Sequence, residues 1–250
     1  MNTIQNSHQF ALYTMQSFLE TISVGKEFIL TDTAMVQRII SILRLEIGES
    51  FIIFNKEVHA VATITNRVKN KSVTLIFDKK TANAVLKPHI TLLLPLLKKD
   101  ALETALYSLV ELGANTIQLV TTAKSNQKWS IKEHERAQRI IIAAAEQSKH
   151  FASPTLLMPS SLTQVLEKIS PSDVKICFDP AGLPLSVLFK DDQLKKSVSF
   201  ILAIGPEGDF TPDEKNLFGQ HNFSNYALTP TILRASQAAA LGLGIIRSLI

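Results

Sequence analysis

The sequence contains few of the residues that build disulfides or metal sites. Cys177 is the single cysteine of the 250 residues, which excludes an intramolecular disulfide framework. It lies in the apolar run 174–178 with no activating base nearby in sequence, so a buried core thiol is favoured over a nucleophile. The six histidines include no pair at metal-ligand spacing, and we therefore expect no structural metal.

Targeting and membrane-spanning patterns are missing as well. Residues 1–6 contain no basic region followed by an apolar stretch, so no signal peptide is expected. No apolar run approaches the ~20 residues that a bilayer-spanning helix needs. These absences predict a soluble, cytoplasmic protein.

Common nucleotide and hydrolase signatures are also absent. The chain has no GxxxxGK[ST] phosphate loop and no GxSxG elbow, which argues against a P-loop enzyme and an α/β-hydrolase. Gly242 and Gly244 form a GxG pattern, but it falls inside the predicted last helix. Close packing explains these two glycines better than phosphate binding does.

What is present indicates an ordinary globular protein. Hydrophobic residues make up 46% of the chain, and the formal net charge is +4. This length and composition suit one large domain, or one small and one medium domain, with enough core to fold unaided. The mild positive charge permits a polyanionic partner without requiring one.

The first third of the chain is rich in short β-type runs. Residues 51–54, 58–64 and 72–77 are separated by polar stretches, which predicts a small antiparallel barrel or sheet. Residues 34–43 carry apolar side chains at helical spacing, and Thr31 and Asp32 are candidate caps. We place a first domain at residues 1–80, with the boundary inside 78–87.

From Pro88 onward, strand-like and helix-like segments alternate. Strands are predicted at 90–94, 116–120, 175–178, 198–204 and 226–228. Helices are predicted between Asp100 and Gly113, at 132–148 and from 236 to the end. Asp100 and Glu103 are spaced as a capping box, and Gly113 suits a helix end. The alternation predicts an α/β domain with a mostly parallel sheet at residues 88–250.

Two loops near the C-terminus are the strongest candidates for a ligand site. Residues 204–210 and 228–237 each leave an apolar run, pass a Gly- or Pro-bearing turn and reach a helix start. Ligands bind at the carboxyl ends of strands in such sheets, and glycine permits close backbone approach. Gly205, Pro206 and Gly208 fit that use, although an ordinary strand-to-helix turn is the alternative.

Several charged residues are candidates for substrate contacts. Arg234 stands at the N-terminus of the predicted last helix, where a cation opposes the helix dipole, so an anionic ligand would explain its position. A solvated helix-end arginine is the alternative. Lys98 and Lys99 are either a solvated pair or phosphate contacts.

Taken together, the segments resemble those of a known family. Residues 204–208 and 228–234 resemble the paired loops of the RsmE family of 16S ribosomal RNA uridine N3-methyltransferases, in the SPOUT superfamily. Further similarity occurs at residues 41–49, 110–114 and 144–148, in the family's order.

The resemblance implies a PUA-like N-terminal β-barrel that binds RNA and a SPOUT α/β domain with a deep trefoil knot. It also implies a homodimer, S-adenosylmethionine as cofactor and 16S rRNA or the small ribosomal subunit as partner, with no membrane. The implied catalytic residues are Arg234 and Glu207, although Glu207 is equally suited to stabilising its loop. The implied cofactor contacts are Ile204, Gly205, Pro206, Gly208, Leu228, Thr229, Leu233 and Ser236, and the implied RNA contacts are Arg38, Arg44, Arg67, Lys98 and Lys99.

The chain departs from the family pattern at several positions. Asp209 replaces a second glycine, Gln37-Arg38 replaces a His-His pair, and Ser236-Gln237 replaces a Glu-Thr pair. Two other functions therefore stay open: a SPOUT methyltransferase of another RNA specificity, and a non-catalytic RNA-binding or ribosome assembly factor.

Overall fold

The computed structural model describes residues 9–68, 71–125, 127–190 and 197–249. The stretch 1–6, for which no signal peptide is expected, lies outside the described residues. The chain divides into two compact units, Met1–Ala84 with Glu146–Ala152, and Val85–Ala145 with Ser153–Ile250. Each unit is described separately below.

The first unit is built on a six-stranded sheet with two short helices. Its strands are β1 (Ala11–Tyr13), β2 (Glu27–Leu30), β3 (Ser50–Phe54), β4 (Val58–Val68), β5 (Ser72–Phe77) and β6 (Thr81–Ala82). The strand order is β1-β3-β4-β5-β2, with β6 also paired to β4. The order ends at β1 and β2 without the pairing between them that a closed barrel needs, among the described residues.

The core of this unit follows from period-two alternation. Val73, Leu75 and Phe77 of β5 are buried while the residues between them are half-buried, as expected for a sheet with one face on the core. The predicted strands at 51–54, 58–64 and 72–77 are confirmed. Those at Ala11–Tyr13 and Glu27–Leu30 were not predicted, because both are short.

The predicted helix at 34–43 is only partly correct. After α1 (Gln16–Thr21), helix α2 covers Thr33–Gln37 and passes into a π-helical turn, Arg38–Ile42. Asp32 caps α2 by accepting a hydrogen bond from the Met35 N–H at 2.8 Å, as predicted. The Leu43 N–H donates to the Arg38 carbonyl at 2.9 Å, five residues back, which widens the turn.

The second unit alternates strands with helices, as the sequence predicts. Its elements are β7 (His89–Pro95), α3 (Lys99–Glu111), β8 (Thr116–Thr121), α4 (Ile131–Ser148), β9 (Thr155–Ser161), α5 (Leu162–Leu166), β10 (Val174–Pro184), α6 (Leu185–Leu188), β11 (Ser199–Ile204), α7 (Pro212–Gln220), β12 (Ser224–Ala227) and α8 (Ala235–Leu249). The six strands are all parallel, in the order β12-β10-β11-β7-β8-β9. The protein is therefore a mixed α/β fold.

This order brings three strand ends together. The chain runs outward through β7, β8 and β9, then returns to build β10, β11 and β12 on the other side of β7. In the sheet register Phe178 of β10 lies opposite both Ile204 of β11 and Tyr226 of β12. The loops that follow these positions therefore start from one edge of the sheet, where such folds bind ligands.

Helix ends in this unit agree with the sequence in one case and differ in another. Gly113 adopts a left-handed φ of 83° just past α3, as predicted for a helix end. The predicted Asp100 cap is wrong, because α3 begins at Lys99 and its N-cap, Lys98, makes no side-chain capping bond. Asp100 lies instead in the first turn, where its charge favours the helix dipole. Among the described residues, no helix is both long and apolar enough to cross a membrane.

Candidate active site

A cavity of about 690 Å³ lies at the shared edge of β10, β11 and β12. Three loops and the start of α8 line it, and we call it the active-site cavity. The lining residues are 178–181, 204–209, Lys215, 228, 229, 231–235 and Ala238. Both loops that the sequence singled out are thus on one cavity, together with a third that it did not.

The structure brings together most of the predicted site residues. On the lining are Ile204, Gly205, Pro206, Glu207, Gly208, Leu228, Thr229, Leu233 and Arg234. Ser236 is not on the lining, because it is buried in the first turn of α8. Leu228 follows β12, which ends at Ala227 rather than at the predicted 228.

The loop at 205–210 is held by the helix that follows it. Thr211 and Glu214 form a capping box at the start of α7, where Pro212 occupies the first turn. A second oxygen of Glu214 accepts the Ala123 N–H at 2.7 Å, so this buried carboxylate also ties the loop after β8 to α7. Phe210 is buried against Phe218, with ring centroids 4.8 Å apart.

The backbone at Asp209 and the packing around Gly205 show what the fold requires of this loop. Asp209 has a left-handed φ of 61°, the region that favours glycine but that Asp tolerates better than most residues. A Cβ added at Gly205 would meet only ordinary contacts, the nearest being the Phe210 ring at 3.5 Å. The fold itself therefore does not demand glycine at position 205.

An ion-pair network on the third loop was missed by sequence reasoning. The Lys215 ammonium lies 2.7 Å from Asp179 and 2.8 Å from Asp209, and these bonds raise the pKa of Lys215 to about 12. Burial opposes ionisation of Asp179, but hydrogen bonds from Lys215 and the Ala181 N–H outweigh it and lower the pKa of Asp179. A signal was present, because Asp179 follows an apolar run and precedes Pro180.

The two predicted catalytic side chains are in different surroundings. The Glu207 carboxylate is half-exposed, and its nearest cation is Lys98, whose Nζ lies 3.8 Å away. Arg234 immediately precedes α8, as predicted, and is exposed on the cavity lining. Among the described residues Arg234 has no ion-pair partner, so its guanidinium is available to a ligand.

The other predicted RNA contacts are spread over both units. In the first unit, Arg38 forms a bidentate ion pair with Glu146, at 3.0 and 2.7 Å. Arg67 pairs with Glu46 at 2.5 Å, and Arg44 is exposed with a φ of 55°. In the second unit, Lys98 reaches Glu207 while Lys99 is exposed at the start of α3.

The last helix packs directly behind the cavity wall. A Cβ at Gly242 would lie 2.5 Å from the ring of Phe178, which lines the cavity. This contact confirms that Gly242 is a packing glycine rather than part of a phosphate site. Its small size lets α8 approach β10 closely.

Comparison with known proteins agrees with this geometry. Residues 85–247 match the model of the RNA methyltransferase domain family. A protein of Synechocystis named ribosomal RNA small subunit methyltransferase E is 28% identical over 221 residues, covering 87% of this chain and 72% of its own. A protein of the same name from Rickettsia conorii is 25% identical, covering 84% of each chain.

Solved structures show the same fold over nearly the whole chain. A protein of Legionella pneumophila described as a methyltransferase, in complex with the bound cofactor SAM, is 25% identical with a TM-score of 0.80, covering 96% of this chain and 97% of its own. The ribosomal RNA small subunit methyltransferase E of Neisseria gonorrhoeae shares the fold at a TM-score of 0.83 and 24% identity, with 97% and 98% covered. Because the family match spans more than half of the sequence, the chain belongs to the RNA methyltransferase domain family.

Proposed function

We propose that the protein methylates N3 of a uridine in small-subunit ribosomal RNA, with S-adenosylmethionine as the methyl donor. The observation that carries this proposal is the active-site cavity, on which both motif-bearing loops meet at the sheet edge. Family membership supports RNA methylation, and the names of the Synechocystis and Rickettsia relatives support small-subunit rRNA as the substrate class. The N3 position is what the resemblance to the RsmE family implies.

The residues present fit the cofactor. A cavity of about 690 Å³ is within the usual size of small-molecule sites, which is on the order of 300–1,000 Å³. The backbone N–H groups of Glu207, Gly208, Ile232 and Leu233 have no acceptor among the described residues, so they are free to bind a ligand. The Legionella protein, of similar fold, binds SAM.

We assign the cofactor to main-chain groups of these loops. Ser236 is left out of the contact set, because it does not line the cavity. The proposed contacts are Ile204, Gly205, Pro206, Gly208, Leu228, Thr229 and Leu233. When bound, S-adenosylmethionine supplies an already activated methyl group, so the protein's share is positioning and charge stabilisation.

The side chains of the cavity provide the rest of the chemistry. Methylation at N3 requires the ring proton to leave as the nitrogen forms its new bond to carbon. Glu207 is half-exposed beside the cavity and is the proposed acceptor of that proton or the group that orients the base. Arg234 is proposed to hold a substrate phosphate or to stabilise negative charge on the uracil ring. The base must be unstacked to reach either residue.

We also propose the finer features that the resemblance implies. These are a PUA-like RNA-binding role for residues 1–80, a SPOUT domain with a deep trefoil knot at residues 88–250, and a homodimer. The knot and the dimer rest on the resemblance alone. The exposed Arg44 supports an RNA-binding first unit.

Two measurements, made one after the other, test the proposed function. Calorimetry with S-adenosylmethionine should show a single site, and mass spectrometry of rRNA from a deletion strain should show one missing methyluridine that returns with the gene. Binding of cofactor with a different missing modification would identify another RNA specificity. Absence of cofactor binding would indicate a non-catalytic RNA-binding factor instead.

A further inference from the structure

A second cavity, of about 400 Å³, lies at the starts of α3 and α4 and beside the loop before α4. We call it the α3–α4 cavity. Its lining combines apolar side chains, one tryptophan and several charged residues. They are Leu96, Leu97, Lys99, Leu102, Glu103, Leu106, Gln127, Lys128, Trp129, Lys132, Glu133, Arg136, Ala137, Arg139 and Ile140.

The apolar part of this cavity includes an unsatisfied donor. Leu97 and Leu102 are buried on its lining, and Trp129 is half-buried there. The indole Nε1 of Trp129 is buried and has no hydrogen-bond partner among the described residues. Buried polar groups normally have partners, so this indole N–H lacks an acceptor that such groups usually have.

The charged part of the cavity is positive, and its carboxylates are already engaged. The lining contains five cationic side chains and two carboxylates. Glu103 pairs with Arg136 at 2.5 Å, and Glu133 accepts the Ser130 N–H at 2.9 Å. The remaining cations, which have no ion-pair partner within the described part of the chain, are Lys99, Lys128, Lys132 and Arg139.

The α3–α4 cavity is adjacent to the active-site cavity. Lys98 reaches Glu207 of the active-site cavity, at 3.8 Å, while the next residue, Lys99, lines the α3–α4 cavity. Lys124, in the loop that leads to Trp129, donates a hydrogen bond to the carbonyl of Gly208, which lines the active-site cavity. The two cavities therefore follow one another along the same edge of the sheet.

We propose that the α3–α4 cavity binds a nucleotide of single-stranded RNA that flanks the nucleotide held in the active-site cavity. Its base packs on Trp129 and the apolar floor, and neighbouring phosphates contact the unpaired cations. The assignment follows from charge complementarity, because an aromatic face beside free cations is the usual arrangement for single-stranded nucleic acid. It rests on the proposed function for the identity of the RNA.

Trp129 can serve as an intrinsic fluorescent probe of this site. Trp129 is the only tryptophan in the chain, so intrinsic tryptophan fluorescence reports the α3–α4 cavity alone. Titration of the full chain with a short single-stranded oligouridine should quench that emission saturably, whereas S-adenosylmethionine alone should leave it unchanged. Unchanged emission, while anisotropy of a labelled oligouridine shows binding, would overturn the proposal.

Substitutions separate stacking from charge. Trp129→Ala should weaken oligouridine binding about tenfold, the usual scale for one stacked base, and Trp129→Phe should retain most of the affinity. A plot of log affinity against log salt concentration has a negative slope for such binding. The double variant Lys132→Glu, Arg139→Glu should make that slope shallower by about 0.7 for each phosphate that the protein no longer neutralises. The double variant Lys168→Glu, Lys190→Glu is the matched control, since both lysines are exposed in the same unit and line neither cavity.

The remaining outcomes each count against the proposal. Wild-type RNA affinity in Trp129→Ala and in the double charge variant, both folded by circular dichroism, would show that RNA does not use the cavity. Conversion of a dimer to a monomer by Trp129→Ala, with RNA affinity unchanged, would show that a second copy covers it. These readouts need neither cofactor nor turnover, so failure of the methyltransferase assignment would be seen separately, in calorimetry and rRNA mass spectrometry.

Discussion

The two cavities of the second unit are built from different parts of the chain. The active-site cavity is lined largely by strand-end loops, and the Lys215 ammonium there is neutralised by Asp179 and Asp209. The α3–α4 cavity is lined by side chains of two helices and a loop, and four of its cations have no such partner in the described chain. When main-chain groups bind the ligand, a change of side chain leaves the binding groups in place. When side chains bind the ligand, each substitution alters the groups that select it. We therefore expect cofactor binding to survive the chain's divergence from its relatives more readily than RNA selection does.

The largest expected effect comes from filling the backbone-built site. Gly205→Val should weaken S-adenosylmethionine binding by about 100-fold or more, because the added methyl groups occupy space that the ligand needs while the nearest protein atoms leave room for a Cβ. Calorimetry measures the affinity, and circular dichroism checks the fold. Gly219→Val is the control, because Gly219 is exposed in α7 with nothing within 4 Å of its added Cβ. Unchanged cofactor affinity in Gly205→Val would remove that loop from the binding site.

A smaller effect is expected where a side chain reaches into the same cavity. Arg234→Ala should leave cofactor affinity nearly intact and slow single-turnover methylation by roughly ten- to a hundred-fold, since a lost charge-assisted hydrogen bond is worth about 1.5–3 kcal/mol. Arg234→Lys should recover only part of the rate, because an ammonium lacks the planar donor fork. If both variants methylate RNA like the wild type, Arg234 is a solvated helix-end residue and the backbone alone makes the site.

The smallest effect concerns the neutralised charges. Lys215→Met should cost on the order of 1 kcal/mol of stability at pH 7, because the Lys215 ammonium is partly exposed and its pairing with the buried Asp179 is screened by solvent. The Asp179 pKa is lowered by folding, so its stabilisation is present above the unfolded pKa and is lost as pH falls through the lower folded value. The urea midpoints of wild type and variant should therefore differ at pH 7, and the difference should shrink progressively as the pH falls below about 4.

At alkaline pH the contribution of Lys215 to stability falls as the pH rises. The raised pKa of Lys215 stabilises the fold below the unfolded pKa near 10.5, and that contribution is lost as pH rises through about 12. Lys168→Met is the control for removing an exposed ammonium from the same unit. A pH-independent gap between wild type and Lys215→Met would mean that the network does not stabilise the loops.

Periodicity and turn chemistry predicted much of this fold from sequence. Gly113 as a helix end, Asp32 as a cap and the parallel strands of the second unit follow from local rules that the structure obeys. The Asp100 cap was wrong because the N-cap of α3 is Lys98, two residues earlier, and the local pattern cannot choose between such nearby starts.

The site was less accessible to sequence reasoning than the fold. The loops at 204–210 and 228–237 carry glycine and proline, so their turns are visible locally, but the contribution of Asp179 depends on strand order. Only the insertion of β11 between β7 and β10 places residue 179 beside Lys215. The α3–α4 cavity was not predicted, although Lys99 of its lining was a predicted RNA contact, because its cations are separated along the chain and meet through the packing of two helices.

The contact between Gly242 and Phe178 has a genetic consequence. Gly242 lines neither cavity, yet it sets the position of a ring on the active-site wall, because any larger side chain at 242 would have to displace that ring. A random-mutagenesis screen for loss of methylation should therefore recover changes at position 242 alongside those at the loops. Second-site revertants of such changes should map to position 178, where a smaller side chain restores the room that the helix has lost.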